Sequence, residues 1–164
     1  MAACSTTHGS HMLEEGHKAP NFKLKTDGDG EVSLAQLKGS IAIVYFYPKD
    51  DTPGCTTEAI AFSGLKGEFD KCGAVLIGVS KDSVKKHDSF KLKHDLKVRL
   101  ASDEQGEMVA AYGVWVQKTN YGRDYMGIER STFLIDQQGV IRKIWRKVKV
   151  GGHAENVLEV TQSL

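Results

Sequence analysis

An uninterrupted run of seven apolar residues at 41–47 limits the folds open to this chain. A run this short, rich in β-branched and aromatic residues, is typical of a strand buried on both faces, because a strand with one wet face would alternate. Pro48 follows directly and ends the strand, since proline has no N–H to donate. This longest apolar stretch is far shorter than the ~20 residues of a membrane helix. We therefore expect a central strand of an α/β core and no membrane partner.

The remaining elements are predicted to alternate first and to pair later. Their order is a hairpin at 22–25 and 31–33, a helical turn at 34–38, strand 41–47, helix 53–71, strand 74–79, helix 83–95, strand 100–102, helix 105–112, an irregular segment at 113–129, a hairpin at 131–135 and 140–145, and helix 154–163. Alternation favours parallel strands joined by helices, and hairpins add antiparallel strands. The order predicts an α/β thioredoxin-like fold: a mixed central sheet with helices on both faces and an N-terminal β-hairpin.

Apolar spacing predicts which side of two helices faces the core. The helix at 53–71 carries an apolar stripe spaced by three and four residues, and the helix at 83–95 carries a weaker one. The expected inward residues are Phe62, Leu65, Phe69 and Cys72 in the first helix, and Val84, Phe90 and Leu92 in the second.

Length and charge narrow the class of protein. The chain has 164 residues and 40% hydrophobic composition, enough for one domain with a single core. Lys plus Arg is 22 and Asp plus Glu is 21, a net charge of +1 that argues against nucleic acid as a partner. Residues 1–12 contain Gly-Ser-His-Met and no Asp, Glu, Lys or Arg, which is typical of an affinity-tag remnant or a disordered tail. We expect one domain over 13–164.

The cysteines favour a reducing, cytoplasmic compartment. Cys4 lies in the tail, so Cys55 and Cys72 are the two cysteines of the predicted domain, and no Cys-x-x-Cys occurs. Two cysteines do not form the dense framework of a secreted disulfide protein. None of the six histidines is spaced with a cysteine as zinc ligands are, so we expect no metal.

The candidate site follows the central strand, at the sheet edge where open α/β folds bind ligands. Thr52 is a favoured helix N-cap and Pro53 suits the first helical position, which places Cys55 at the third, near unpaired N–H groups. A thiol with an ordinary pKa of ~8.5 is only ~3% thiolate at neutral pH, and making it mostly thiolate needs about 2.7 kcal/mol. A helix terminus supplies at most ~2 kcal/mol. A hydroxyl from Thr52 and a cation would supply the rest; a buried inert cysteine is the alternative.

These residues resemble a known family. Pro48, Thr52 and Cys55 match the Pro-x-x-x-Thr-x-x-Cys motif of peroxiredoxins. The sequences of residues 47–58 and 112–136 are similar to those of the peroxiredoxin Q branch, also called bacterioferritin comigratory protein. The resemblance extends over about residues 13–164. It implies a thioredoxin fold and a thiol-dependent enzyme that reduces hydrogen peroxide and organic hydroperoxides without a cofactor.

The resemblance also implies roles for individual residues. Cys55 matches the peroxidatic cysteine, which becomes a sulfenic acid, and Arg130 matches the active-site arginine. Thr52 and the N–H groups of Cys55 and Gly54 would orient the peroxide and stabilise charge on its leaving oxygen. Pro48 would shield the thiolate from water. Glu58 would assist Arg130, although a first-turn carboxylate that favours the helix dipole explains it equally well. 

The sequence departs from the family where a second, resolving cysteine is usual. Ile60 and Lys91 occupy the two usual positions. We therefore expect a one-cysteine enzyme, a monomer or weak dimer, reduced by an external thiol: a thioredoxin, a glutaredoxin or a low-molecular-weight thiol. A two-cysteine mechanism through Cys72 is the alternative, and it is disfavoured because one continuous helix would hold its Cα about 25 Å from that of Cys55. A disulfide needs roughly 4.4–6.8 Å.

Other classes of function give different expectations. A thioredoxin-fold disulfide exchanger would carry a second cysteine in the active-site turn and a proline before the strand after Arg130, and the sequence has neither. A holdase or redox-switched binding protein would consume no peroxide. Five positive residues within 142–149 form either a solvated strand face or a docking surface for an acidic reductant.

Overall fold

The computed structural model describes residues 13–164, so the predicted tag remnant or tail at 1–12 lies outside the described residues. The strands are β1 (Lys23–Thr26), β2 (Gly30–Ser33), β3 (Ile41–Phe46), β4 (Ala74–Ser80), β5 (Arg99–Ser102), β6 (Trp115–Asn120), β7 (Arg123–Ile128), β8 (Ser131–Ile135) and β9 (Ile141–Trp145). The helices are α1 (Leu34–Leu37), α2 (Pro53–Gly64), α3 (Lys66–Lys71), α4 (Val84–His94), α5 (Glu107–Ala111) and α6 (His153–Gln162).

Seven strands form one mixed sheet in the order β2-β1-β5-β4-β3-β8-β9. The pairs of β4 with β3 and with β5 are parallel, and the other four pairs are antiparallel. Strand β3 lies inside the sheet, between β4 and β8, as its continuous apolar sequence predicts. The N-terminal hairpin β1–β2 extends one edge. The predicted mixed sheet and hairpin are confirmed.

Strand β3 divides the core into two layers because its side chains alternate between the faces of the sheet. Ile43 and Tyr45 belong to the layer beneath α2, α3, α4 and α6, whereas Val44 and Phe46 belong to the layer beneath α1 and α5. All six residues of β3 are buried. Helices therefore cover both faces, as predicted. No helix among residues 13–164 is long and apolar enough to cross a membrane.

The helix predicted at 53–71 is two helices. Helix α2 ends at Gly64, and Leu65 has φ −104° and ψ 5°, outside the helical range, before α3 begins. The Leu65 N–H donates to the Phe62 carbonyl at 3.1 Å, a tightened final turn, and Gly64 and Gly67 weaken the helix on either side. The 25 Å estimate between the Cα atoms of Cys55 and Cys72 assumed one straight helix, so it does not apply.

Two other predictions were wrong. Leu92 of α4 is 86% exposed, and His87 is buried beside Phe90 instead, because a residue two positions from Phe90 faces away from it. The segment at 113–129, predicted irregular, contains the antiparallel hairpin β6–β7. Its turn residues Tyr121 and Gly122 have φ of 53° and 75°, which is typical of a two-residue hairpin turn.

A close approach between β3 and β4 gives the first prediction. Gly78 pairs with Tyr45, and a Cβ added to Gly78 would lie 2.7 Å from both Cζ and Oη of the tyrosine. Gly78→Ala should therefore lower the free energy of unfolding by about 2 kcal/mol, measured by urea denaturation. Gly67→Ala is the control, since its Cβ meets no atom within 4 Å and alanine favours a helix. Equal free energies of unfolding for the two variants would show that Tyr45 can move aside without destabilising the protein.

Candidate active site

Cys55 lies at the third residue of α2, directly after the carboxyl end of β3. Thr52 is the N-cap, with φ −97° and ψ 155°, and Pro53 is the first helical residue, as predicted. The N–H of Thr56 donates to the carbonyl of Thr52 at 2.8 Å, so the N–H groups of Gly54 and Cys55 belong to the unpaired end of the helix. The Cys55 side chain packs in the core layer beneath α2 and is 1% exposed.

Arg130 comes from the opposite side of the site, between β7 and β8. Its Nη2 donates to Cys55 Sγ at 3.4 Å, and its Nη1 donates to Glu58 Oε1 at 2.7 Å. The Arg130 carbonyl accepts from the Val148 N–H at 2.9 Å, which holds its backbone in place. Burial by itself lowers the pKa of Arg130, but the charges of Glu58 and Cys55, with the hydrogen bonds to both, together outweigh burial and raise the pKa above its ordinary value. Arg130 therefore stays cationic and can supply the cation that a thiolate needs.

Gly54 allows this close approach. A Cβ at Gly54 would lie 3.1 Å from Nη2 of Arg130, tighter than ordinary contact. Glycine at the second position of α2 thus lets the guanidinium reach the thiol over the helix end. This steric contact is the structural basis for including Gly54 in the site.

Glu58 lies one turn after Cys55 and is 1% exposed. Burial raises its pKa to about 7, and the charge and hydrogen bond of Arg130 partly counteract this rise. Its second oxygen, Oε2, is buried without a hydrogen-bond partner among the described residues. Of the two explanations of Glu58, the contact with Arg130 is thus observed directly, since Oε1 accepts from the guanidinium.

The Thr52 hydroxyl is placed differently from the expectation. Its Oγ1 donates to the Lys49 carbonyl at 2.8 Å, so its proton closes the loop before α2 and is not directed at Cys55. The Cys55 sulfur and the Lys49 carbonyl are both acceptors that compete for the single hydroxyl proton, and the sequence does not show which one prevails. In this arrangement the Thr52 hydroxyl proton stabilises the loop, and the lone pairs of its oxygen remain available to accept a hydrogen bond.

The other predicted residues lie at or beyond the edge of the site. Pro48 follows β3 and is exposed, and Ile60 is on the exposed side of α2. Lys91 of α4 forms an ion pair with Asp27 at 2.8 Å. Cys72 ends α3, is partly buried, and is a free thiol like Cys55.

Sequence reasoning assigned no role to two further neighbours of the site. Burial and the charge of Arg130 lower the pKa of Lys118 in β6, and Cys55 opposes that change, so Lys118 lies within electrostatic range of both. Burial, then Glu58 and Cys55, raise the pKa of Tyr45, whose hydroxyl lacks a hydrogen-bond partner among residues 13–164. Recognising the β6–β7 hairpin from its Tyr121–Gly122 turn would have drawn attention to Lys118.

Two remaining expectations concern the surroundings. Within residues 13–164, no group of three or more His, Cys, Asp or Glu side chains could hold a metal ion. In the basic segment 142–149, Arg142 lies 3.5 Å from Asp136 and Arg146 lies 3.7 Å from Glu129. Part of that positive charge is therefore balanced by local carboxylates.

Comparison with known proteins identifies the family. Residues 16–144 match the model of the AhpC/TSA family. A putative peroxiredoxin bcp of Coxiella burnetii is 52% identical over 146 residues, which cover 89% of this chain and 97% of that protein. Peroxiredoxin Bcp of Bacillus subtilis is 48% identical and covers 93% of this chain and 97% of its own length. The chain is a peroxiredoxin of the AhpC/TSA family.

Solved structures place this peroxiredoxin in the predicted branch. A cysteine-to-serine mutant of Xylella fastidiosa PrxQ is 40% identical with a TM-score of 0.88, covering 93% of this chain and 97% of its own. The Xanthomonas campestris bacterioferritin comigratory protein is 44% identical with a TM-score of 0.83, covering 87% of this chain and 90% of its own. The predicted thioredoxin-like fold and peroxiredoxin Q branch are confirmed. The peroxiredoxin is an enzyme, a thiol peroxidase whose substrates are a hydroperoxide and a reducing thiol.

The raised pKa of Glu58 predicts a pH-dependent stability. Because the folded state binds a proton at Glu58 more tightly than the unfolded chain, the free energy of unfolding should fall as pH rises from about 4.5 to about 7. Glu58→Gln should remove this contribution. The wild type should therefore lose up to about 3 kcal/mol relative to the variant over that interval, measured by urea denaturation at pH 4.5 and pH 7.5.

Other titrating groups are the same in both proteins and cancel in this difference. The lost hydrogen bond to Arg130 adds an offset at both pH values but little slope. A difference between wild type and Glu58→Gln that stays constant with pH would contradict the proposed protonation of Glu58.

Proposed function

We propose that residues 13–164 act as one domain that reduces hydrogen peroxide and organic hydroperoxides through Cys55, by a one-cysteine mechanism with an external thiol. The observation that carries the proposal is the contact of Arg130 with Cys55 Sγ at 3.4 Å, at the unpaired end of α2. A cation and a helix N-terminus both favour the thiolate, which is the nucleophilic form of cysteine.

The reaction begins with attack of the Cys55 thiolate on the terminal peroxide oxygen. An S–O bond forms, the O–O bond breaks, and the sulfur is oxidised by two electrons to a sulfenic acid. The leaving oxygen departs as hydroxide or alkoxide and takes a proton to become water or an alcohol. Arg130 and the N–H groups of Gly54 and Cys55 are positioned to stabilise its negative charge, as an oxyanion hole does.

Thr52 and Pro48 support this step from the loop before α2. The Thr52 hydroxyl donates to Lys49, which leaves its oxygen free to accept from a protonated peroxide oxygen. Pro48, which follows β3 and is exposed, is expected to shield the thiolate from water. Glu58 orients Arg130 through the 2.7 Å contact, so that the second guanidinium nitrogen faces the sulfur.

Reduction requires a thiol from outside the site. Ile60 and Lys91 replace the usual resolving cysteines. The external thiol forms a mixed disulfide with Cys55 and releases water. A second thiol then attacks the external sulfur of that disulfide, which releases the Cys55 thiol and joins the two external sulfurs as a disulfide. We propose a thioredoxin, a glutaredoxin or a low-molecular-weight thiol as the reductant, a monomer or weak dimer as the assembly, and a reducing, cytoplasmic compartment to supply it.

A two-cysteine mechanism through Cys72 is the second candidate, favoured by one observation. Leu65 breaks the helix between the two cysteines, so the chain from Cys55 to Cys72 is not one rigid rod. Cys72 packs at the border of the same core layer that holds Cys55. A disulfide between them would still require α2 to move, because Cys55 is locked in its first turn.

Two serine variants test the mechanism. Cys55→Ser should abolish peroxide consumption while leaving the urea midpoint close to that of wild type, because serine is nearly isosteric but is a far weaker nucleophile. Cys72→Ser, the matched control, should retain at least half of the turnover with an external thiol. Mass spectrometry of Cys72→Ser after one peroxide equivalent should find one added oxygen on Cys55.

The same experiment separates the alternatives. A Cys55–Cys72 peptide within one wild-type chain, formed at the rate of turnover, would overturn the one-cysteine mechanism. Insulin reduction without peroxide consumption would indicate a disulfide exchanger, and neither activity would indicate a holdase.

Loss of the cation should slow peroxide attack. Arg130→Ala should lower the second-order rate constant of Cys55 with peroxide at least tenfold, equivalent to about 1.4 kcal/mol of transition-state stabilisation. Thr52→Val should have a similar effect, whereas Thr52→Ser keeps the hydroxyl and should stay within threefold of wild type. Stopped-flow measurement at neutral pH decides, and an unchanged rate in Arg130→Ala would leave Arg130 with a structural role alone.

A further inference from the structure

A buried polar cluster outside the peroxide site joins the loop before α2 to helix α4. Asp50 Oδ2 lies 2.6 Å from His87 Nδ1, and Asp50 Oδ1 accepts from the Tyr47 hydroxyl at 2.5 Å. His87 Nε2 lies 3.0 Å from the carbonyl of Ala101 in β5. The side chains of Asp50 and His87 are 5% and 0% exposed. Such a cluster is costly to bury, which makes the parts of the fold that it joins the point of interest.

The proton positions follow from the partners. The Ala101 carbonyl can only accept, so His87 Nε2 carries a hydrogen. A carboxylate facing a bare Nδ1 lone pair at 2.6 Å would be repulsive, so a proton also lies between His87 and Asp50. Burial and the neighbouring Asp50 raise the pKa of Tyr47, which keeps its hydroxyl protonated and donating. Both oxygens of Asp50 are therefore engaged.

The backbone of the same loop is tied as well. The Asp50 N–H donates to Asp82 Oδ2 at 2.8 Å, and Ser80 Oγ donates to that oxygen at 2.7 Å. The next residue, Asp51, has φ 60°, in the left-handed region, which is uncommon outside glycine although Asp adopts it more readily than most residues. Its carboxylate accepts from Lys93 at 2.8 Å and lies 2.9 Å from His94.

All of these hydrogen bonds and ion pairs hold the segment that sets where α2 starts. Asp50 lies two residues before the N-cap Thr52 and five before Cys55. The side chains of His87, Lys93 and His94 all belong to α4, so this helix holds the loop at a buried point and at an exposed point. A shift of the loop would move the N–H groups of Gly54 and Cys55. Those groups and the guanidinium of Arg130 would then no longer converge on the site at the sulfur.

We propose that Asp50 and His87 are positioning residues for Cys55: their buried contact, completed by Tyr47, fixes the loop that begins α2 against α4. They have no hydrogen bond to Cys55, so they act through the backbone and not on the peroxide. This inference rests on the proposed function only for its effect on peroxide attack. Its effect on the exposure of Cys55 is independent of any reaction with peroxide.

The test compares Asp50→Asn, His87→Gln and the double variant in two reactions of Cys55. Without the contact, the second-order rate constant with hydrogen peroxide should fall at least tenfold, because the helix end and Arg130 no longer converge on the sulfur. Alkylation of Cys55 by iodoacetamide, measured at alkaline pH where the thiolate fraction no longer differs between the proteins, should rise at least threefold, because the first turn of α2 opens more often. The double variant should be no slower with peroxide than the slower single variant, since both remove the same contact.

Ile141→Ala in β9 is the control for general destabilisation, because Ile141 is buried in the core layer on the other face of the sheet from Cys55 and Tyr47. At a urea concentration equally far below each protein's unfolding midpoint, it should leave both rate constants within twofold of wild type. Equal changes in Ile141→Ala and Asp50→Asn would overturn the proposal. So would additive losses in the double variant, or an unchanged alkylation rate.

Tyr47→Phe keeps the test decisive if the other variants fail to fold. It removes one hydroxyl and leaves the Asp50–His87 contact in place, and it should lower the peroxide rate about threefold. An unchanged rate would overturn the proposal. If wild-type Cys55 reduces no peroxide, the proposed function fails, and the alkylation rates of the variants still decide whether the cluster positions Cys55.

Discussion

The guanidinium of Arg130 is the group on which the geometry of the site depends. One of its nitrogens donates to Cys55 Sγ at 3.4 Å and the other to Glu58 Oε1 at 2.7 Å. These two acceptors lie one turn apart on the same helix face, so a planar, bidentate donor can reach both. A lysine, with a single nitrogen at the end of a flexible stem, could not hold both acceptors in fixed directions.

This arrangement places two acidic groups in competition for one cation. Burial raises the pKa of Glu58 to about 7, so near neutrality a share of molecules carries a proton there. With Glu58 protonated, the charge of Arg130 is directed mainly at the sulfur, and with Glu58 ionised the charge is shared. The site therefore couples the protonation of a carboxyl that does not react to the charge that Cys55 experiences.

The rest of the fold brings these groups together from distant parts of the chain. Buried strand β3 ends at the loop that leads into α2, and α2 carries Cys55 and Glu58. Arg130 comes from the other side of the site, from the short connection between β7 and β8. The cluster of Tyr47, Asp50 and His87 lies between the loop and α4, where it can fix the start of α2 without touching the sulfur.

The sequence by itself determined the architecture, because β3, the helix starts and the turn glycines are local patterns of apolarity and capping. It also predicted Cys55, whose spacing from Pro48 and Thr52 matches a family motif, and Arg130, through the resemblance of residues 112–136 to the same family. Tertiary structure alone decided the break at Leu65, the direction of the Thr52 hydroxyl and the burial of His87. Each of these depends on which partner is nearest after packing, and an acceptor brought from 14 or 37 residues away leaves no periodic signal in the chain. For the same reason, the half-polar strands of β6–β7, and the approach of Lys118 to the site, became visible only in the folded chain.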